Sequence, residues 1–190
     1  YRIELEEEQR KLYLAAVVDA REKLRAAKPE DKMAVFAVLM RLREICCDPR
    51  LVADNWTGSS AKLEACLELV TEAVAGGHRI LLFSQFTSML ELLAKRLDEA
   101  GVSHFTLQGS TPKPVRAEQV RRFNQGEADV FLISLRAGGT GLNLTAADIV
   151  IHYDPWWNLA AQNQATDRAY RIGQRNPVQV YRLIAQDTIE

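Results

Sequence analysis

From Ser60 to the C-terminus, short continuous apolar runs alternate with longer stretches in which apolar residues recur every third or fourth position. Continuous runs of this length predict strands buried on both faces, and the longer period predicts amphipathic helices. Strands are predicted at 79–84, 104–107, 130–134, 149–153 and 178–184, and helices at 63–75, 88–100, 112–124 and 159–171. This alternation predicts the α/β class, with a parallel sheet covered by helices on both faces.

The first 57 residues have a different pattern. The stretch from Glu6 to Ala27 contains neither Gly nor Pro, which favours a helix. A second helix is predicted after Pro29, because apolar residues recur every three or four positions as far as Ile45. We therefore expect a helical subdomain at 1–57, followed by the α/β domain at 58–190.

Composition narrows the class of protein. The 190 residues are 47% hydrophobic and 26% charged, as in an ordinary globular protein, and the formal net charge is −1. This charge argues against a generally basic nucleic-acid coat, although it leaves room for a local basic stripe. The cysteines Cys46, Cys47 and Cys66 and the widely separated histidines favour neither a disulfide framework nor a metal site. No apolar run approaches the ~20 residues of a membrane span, so no membrane partner is predicted.

The predicted helix 159–171 carries two arginines. Gln164, Arg168 and Arg171 are spaced by four and three residues, which would place them on one helical face. Two permanently charged, planar guanidinium groups on one face suit phosphate oxygens. The alternative is an exposed helix in which Asp167 pairs with Arg171.

A glycine-rich segment directly follows the predicted strand 130–134. Gly139 and Gly141 lie in it, and glycines let a backbone approach a ligand closely and expose its amides to phosphate. The segment is not a P-loop, because no Lys-Ser or Lys-Thr follows, and it lacks the third glycine of a dinucleotide fingerprint. A tight strand-to-helix turn without a ligand is the alternative.

Two further segments follow predicted strands. Gln108 to Pro112 leads into a helix N-terminus, where free amides and hydroxyls favour phosphate, although Thr111 could simply cap that helix. Trp156 and Trp157 are adjacent and therefore point in different directions, so one of them is expected to be exposed for stacking or contact. Packing of both in the core is the alternative.

The order of these segments resembles one family. The sequences FSQFT at 83–87, GST at 109–111, AGGTGLNL at 137–144, DPWWN at 154–158 and QATDRAYRIGQ at 164–174 follow one another along the chain. This order closely resembles the C-terminal lobe of the SWI/SNF-type helicase-like ATPases of superfamily two. The resemblance covers about 58–190, and the preceding helices resemble that family's helical insert between its lobes. It implies a RecA-like fold.

The resemblance implies roles for individual residues. Arg168 and Arg171 match arginine fingers that reach ATP across a cleft, while Gly139, Gly141 and Gln164 match residues near the nucleotide. The residues that match segments along the DNA backbone are Ser84, Gln85, Gly109, Ser110, Thr111, Ser134, Arg136 and Trp156. The chain departs from the family's frequent residues at Gln108, Leu159 and Tyr170, but no arginine or glycine of the motifs is replaced.

The chain contains no Gly-x-x-x-x-Gly-Lys-Ser/Thr and no Asp-Glu-x-His. We therefore expect ATP and Mg²⁺ to be held by an N-terminal RecA-like lobe of the same, longer polypeptide, and this chain alone to lack ATPase activity. The resemblance implies a lobe of a double-stranded DNA translocase that remodels an unidentified DNA-bound protein. It predicts a nucleoid-associated cytoplasmic protein in a bacterium, or a nuclear one in a eukaryote.

Three other functions are open at this stage. One is a lobe of a strand-separating helicase of the same superfamily. Another is a DNA- or protein-binding module without motor activity. The third is an oxidoreductase or methyltransferase of the Rossmann type, which the incomplete glycine fingerprint disfavours.

Overall fold

A computed structural model describes residues 1–137, 141–156, 158–169 and 173–190. In chain order the elements are β1 (Arg2–Ile3), α1 (Glu7–Ala26), α2 (Lys32–Cys47), a 3-10 turn (Pro49–Leu51), α3 (Ala61–Ala75), β2 (Ile80–Ser84), α4 (Thr87–Glu99), β3 (His104–Leu107), α5 (Lys113–Asn124), β4 (Val130–Ser134), β5 (Ile149–His152), α6 (Leu159–Thr166), β6 (Gln179–Arg182) and β7 (Ile184–Ala185). The described residues fall into two compact units, 66–183 with Tyr1, and 2–65 with 184–190.

The larger unit is built on a five-stranded parallel sheet. Its strands lie in the order β3-β4-β2-β5-β6. Every residue of β2, β4 and β5 is buried, which explains why these strands read as continuous apolar runs. The predicted α/β class and parallel sheet are confirmed.

The order in which strands are added to the sheet changes direction at β2, because β3 and β4 lie on one side of it and β5 and β6 on the other. β4 lies on one side of β2, where Ser84 is level with Ser134, and β5 lies on the other, where Phe83 is level with His152. In open parallel sheets, such a reversal leaves a crevice beyond the carboxyl ends of the strands, where ligands bind. The segments after β4 and β5 therefore begin at this crevice.

The helices of this unit cover the sheet through periodic apolar faces. In α4, Met89, Leu90, Leu93 and Leu97 are fully buried at three- and four-residue spacing. The helix ends before Gly101, whose positive φ of 70° favours glycine there. In α5, Phe123 is the buried anchor, and the Arg79 guanidinium lies 4.3 Å from the centre of its ring.

The smaller unit joins the N-terminal helices to the last residues of the chain. Gln9 of α1 is fully buried, and its Nε2 donates to the Ile45 carbonyl oxygen of α2 at 2.9 Å. β1 and β7 pair in parallel, and Lys62 forms a fully buried ion pair with Glu190. The sequence predicted one strand at 178–184, whereas the chain forms two strands there, β6 and β7. The domain boundary at 57/58 stays a prediction, although the compact units divide at 65/66 and at 183/184.

All three cysteines are fully buried, and their sulfurs are reduced thiols. For Cys46, burial and the nearby Glu190 carboxylate raise the thiol pKa to about 12. Burial favours the neutral thiol because a thiolate there would lose its hydration.

Two predicted helix boundaries are wrong. The helix predicted from Pro112 begins at Lys113, with Pro112 at the N-cap position and no side-chain cap. The helix predicted to reach residue 171 ends at Thr166, with Asp167 as its C-cap. In the described parts of the chain, no helix combines the length and the apolar character needed to cross a bilayer.

Candidate nucleotide and nucleic-acid site at the carboxyl edge of the sheet

Asp154 links the ends of the neighbouring strands β2 and β5. It is fully buried just after β5, and its Oδ1 accepts a 2.5 Å hydrogen bond from the Ser84 hydroxyl at the end of β2. Its Oδ2 accepts from the Gln85 backbone N–H at 3.3 Å, and the Phe86 N–H donates to Ser84 Oγ at 3.1 Å. Ser84 thus fixes the turn after β2. The assignment of Ser84 to a segment along the DNA backbone stays a prediction, and the side chain itself is buried and bonded to Asp154 in this conformation.

At the end of β4 the chain passes from a buried residue, Ser134, to an exposed one, Arg136. Ser134 is only 3% exposed, and its Oγ accepts from the Ala137 N–H at 3.3 Å. Its assignment to a segment along the DNA backbone likewise stays a prediction, although its side chain faces the interior. Arg136, two residues later, is exposed. Gln85 is half-buried.

The turn after β3 exposes part of its backbone. The Thr111 N–H donates to the Gln108 carbonyl oxygen at 3.0 Å, and the Gln108 N–H donates to the Thr111 hydroxyl oxygen at 3.0 Å. Because that hydroxyl is used inside the turn, Thr111 does not cap α5. Gly109 and Ser110 lie between these two residues and are exposed, whereas Thr111 is half-buried.

The Arg116 side chain of α5 forms hydrogen bonds with the backbone of this turn. Its Nε donates to the Thr111 carbonyl oxygen at 2.8 Å, and its Nη2 donates to those of Gln108 at 3.2 Å and Gly109 at 2.9 Å. The same helix also carries Lys113, Arg121 and Arg122, and its sequence pattern does not distinguish Arg116 from them. The role of Arg116 depends on a turn geometry that no local pattern encodes.

The segment after β5 leads into α6 through two side-chain amide contacts. Asn158 caps α6 by accepting from the Ala161 N–H at 3.2 Å. Gln162, 3% exposed, accepts from the Trp156 N–H at 3.2 Å. Trp156 packs against the core and is half-buried, so only part of it is available for the predicted contact. Its indole Nε1 is buried and finds no acceptor among the described residues.

The predicted nucleotide-facing residues differ in exposure. Gln164 on α6 is exposed, but Arg168 lies beyond the end of the helix and is 3% exposed. The expectation that Arg168 points outward on the same helical face as Gln164 is therefore wrong. The Arg168 carbonyl oxygen accepts from the Leu144 N–H at 3.1 Å. Arg171 lies outside the described residues.

The glycine-rich segment is described only at its end. Gly141 is exposed and has a φ of 70°, in the left-handed region that favours glycine, with no atom near the position of an added Cβ. This open backbone suits close approach by a ligand. Gly139 lies outside the described residues.

The predicted site residues follow different strands of the sheet. Those assigned to DNA mostly follow β3, β4 and β2, which are neighbours, while Gln164 and Arg168 follow β5 on the other side of β2. Trp156 also follows β5. Among the described residues, no three His, Cys, Asp or Glu side chains come together in a way that could hold a metal ion.

Comparison with known proteins decides the family. A family model described as the helicase conserved C-terminal domain matches residues 61–173. The chain belongs to this family. The helicase C-terminal domain here is of the SWI/SNF type in superfamily two, as its relatives show. It is 41% identical over 99% of its length to a putative ATP-dependent helicase/translocase, YwqA, of Bacillus subtilis. It is 36% identical over 96% of its length to SWI/SNF-related matrix-associated actin-dependent regulator of chromatin subfamily A member 1 of Mus musculus.

The fold of this helicase C-terminal domain matches solved structures of the same type. The SWI2/SNF2 ATPase core of Sulfolobus solfataricus, solved in complex with double-stranded DNA, superposes with a TM-score of 0.82 at 29% identity. That match covers 97% of this chain and 40% of the Sulfolobus chain. The RecA-like fold is confirmed. The chain spans 21% of the Bacillus protein and 19% of the mouse protein.

Asp154, Gln162 and Arg116 were not predicted as site residues. Asp154 lies inside the quoted motif at 154–158, and a carboxylate within a motif was the available signal. Gln162 and Arg116 carry no such signal, because their partners are set by the turns that they contact.

Proposed function

We propose that this chain is the second lobe of an ATP-driven translocase on double-stranded DNA, working with a first lobe that holds the nucleotide. One observation carries the proposal: the segments after β2, β3, β4 and β5 leave the same carboxyl edge of one parallel sheet, and they contain the predicted DNA-backbone residues and Gly141 or lead through α6 to Gln164 and Arg168. The names of the relatives support ATP use, and the DNA-bound Sulfolobus neighbour supports a duplex as the track.

The exposed part of the edge after β3 and β4 suits the DNA backbone. Gly109 and Ser110 offer amides and a hydroxyl, and Arg136 offers a guanidinium. Such groups bind phosphate oxygens and carry no base information, so the proposed contact is independent of sequence. This is what a protein that moves along DNA requires.

Residues 168–171, which follow α6 and are called the arginine segment below, are proposed to act on ATP held by the first lobe. Arginines there would stabilise charge that develops on the transferred phosphoryl group. Because Arg168 is 3% exposed here, its proposed contact requires the segment to rearrange when the lobes close. Arg171 is proposed as the second finger.

The test substitutes each arginine in the full-length protein. We expect Arg168→Ala and Arg171→Ala each to lower DNA-stimulated ATPase turnover by about a thousandfold, the order associated with arginine fingers. Arg21→Ala, an exposed arginine on α1, is the matched control and is expected to retain normal turnover.

Thermal unfolding of each variant separates a lost finger from a lost fold. Near-normal turnover of both finger variants would contradict the proposed function. An absence of DNA stimulation in the wild-type protein would instead favour a binding module without motor activity.

A further inference from the structure

The Gln174 side chain joins three backbone carbonyls from two segments. Its Nε2 lies 3.0 Å from the Thr145 oxygen, 2.5 Å from the Ala147 oxygen and 3.4 Å from the Ala169 oxygen. Thr145 and Ala147 belong to the stretch that leads from the glycine-rich segment to β5. Ala169 belongs to the arginine segment. A single amide group therefore holds these two segments together.

The orientation of this amide follows from its neighbours. The Asn176 N–H donates to Gln174 Oε1 at 3.0 Å, which requires an oxygen at that position. The opposite orientation would place Oε1 against three carbonyl oxygens and the NH₂ group against an N–H donor. Nε2 is therefore the donor, and its two hydrogens are distributed over three carbonyl oxygens, so at least one hydrogen is shared and the contact to Ala169 is the longest.

A second contact ties the beginning of the arginine segment to the same stretch. The Leu144 N–H donates to the Arg168 carbonyl oxygen at 3.1 Å, and the Ala147 N–H donates to the Leu144 carbonyl oxygen at 3.2 Å. Residues 168 and 174 are thus both attached to the stretch 144–147. These residues bracket Arg171 in the sequence.

We propose that Gln174 is a positioning residue. It holds the arginine segment in a fixed position relative to the stretch 144–147, which follows the glycine-rich segment. This inference rests on the proposed function, since it assigns Gln174 to the alignment of the arginines that act on ATP. The amide itself does not touch ATP. It fixes the backbone on the far side of Arg171, and Leu144 fixes the near side.

The test compares two substitutions in the full-length protein. Gln174→Glu keeps the shape but places a carboxylate against three carbonyl oxygens, whereas Gln174→Met removes the donors without adding charge. We expect Gln174→Glu to lower the ATPase turnover number about a hundredfold, because a small misplacement of a catalytic group costs about that much. Gln174→Met should lose less, and both variants should keep wild-type DNA affinity.

A double-mutant cycle with Arg171→Ala tests whether Gln174 acts through the arginine segment. If it does, Gln174→Glu should change turnover by less than about threefold once Arg171 is already alanine. An equal loss in both backgrounds would show that Gln174 acts independently of the arginine and would overturn the inference. The same cycle with Gln174→Met applies if Gln174→Glu does not fold.

The outcomes separate this inference from the proposed function. Normal turnover of Arg171→Ala and Arg168→Ala defeats the proposed function, and the inference with it. A large loss in those variants, with both Gln174 variants within about twofold of wild type, defeats only the inference. Gln179→Glu on β6 is the matched control, because its side-chain oxygen only accepts, from the Tyr181 hydroxyl at 2.9 Å, and a carboxylate can keep that bond.

Discussion

His152, the last residue of β5, has its side chain enclosed in the larger unit. It is fully buried, its ring stacks on Phe83 with centroids 5.7 Å apart, and its Nε2 lies 2.9 Å from the Thr166 hydroxyl oxygen of α6. Burial, together with the positive charge of Arg182, lowers the pKa of His152 from 6.5 to about 4. The residue therefore links β5 to α6 as a neutral ring.

This burial predicts a loss of stability in mild acid. The unfolded chain binds a proton at His152 near pH 6.5, but the folded chain does so only near pH 4, so the free energy of unfolding falls as the pH drops between these values. The contribution is at most about 1.4 kcal/mol for each pH unit. Denaturant unfolding at pH 7.5, 6 and 5 measures it, and His152→Asn should give a flatter dependence. An identical slope in the variant would contradict the assignment.

Residue types in the site were easier to predict than their exposure. Arg168 was expected to face outward but is buried, and the side chains of Ser84 and Ser134, which lie in the predicted DNA-backbone segments, are buried as well. The reason lies in distant partners: the carboxyl group that holds Ser84 is 70 positions away in the sequence. Pattern and spacing report which face of an element a residue occupies, and they do not report what the rest of the chain places against it.

At the scale of elements, the turn between β3 and α5 depends on one side chain from the following helix. Arg116 donates to three carbonyl oxygens of that turn, so its charge faces the protein. Arg136, after β4, is exposed. The two arginines should therefore contribute to DNA binding in different ways.

We expect Arg116→Ala in the full-length protein to weaken DNA binding roughly tenfold, because a disordered turn must be ordered on binding. The slope of log affinity against log salt should stay unchanged, since no phosphate contact is lost. Arg136→Ala, the matched comparison, should reduce the magnitude of that slope by about 0.9. Fluorescence anisotropy over a salt series measures both. A reduced slope in Arg116→Ala would show that its guanidinium binds phosphate.

Strands were predicted more accurately than helix ends. β2, β4 and β5 are buried on both faces, and this requirement produces an unbroken apolar run that can be read from the sequence alone. The Thr111 hydroxyl, a possible cap for α5, instead accepts from Gln108, and after Thr166 the Arg168 and Ala169 N–H groups donate to carbonyls three residues back, which ends the α-helical pattern. Such competing bonds are decided by tertiary structure.

At the scale of the whole molecule, the net charge of −1 means that long-range attraction to DNA is weak. The proposed binding must come from a few local contacts at the carboxyl edge of the sheet. Each phosphate contact contributes about −0.9 to the log–log salt slope, so three contacts would give about −2.7. Titration of this lobe with duplexes of unrelated sequence should give equal affinities with this salt dependence. A salt-independent affinity would contradict a backbone track.

The three buried thiols have a practical consequence for studies of motion. Thiol-directed dyes react with the thiolate, and Cys46, Cys47 and Cys66 are shielded from solvent, with the Cys46 thiol kept protonated. A cysteine introduced at an exposed position, such as Ser110, would then react while the native thiols of the folded chain stay unlabelled. Distances between fluorophores could thus be followed during nucleotide turnover without first removing any cysteine from this lobe.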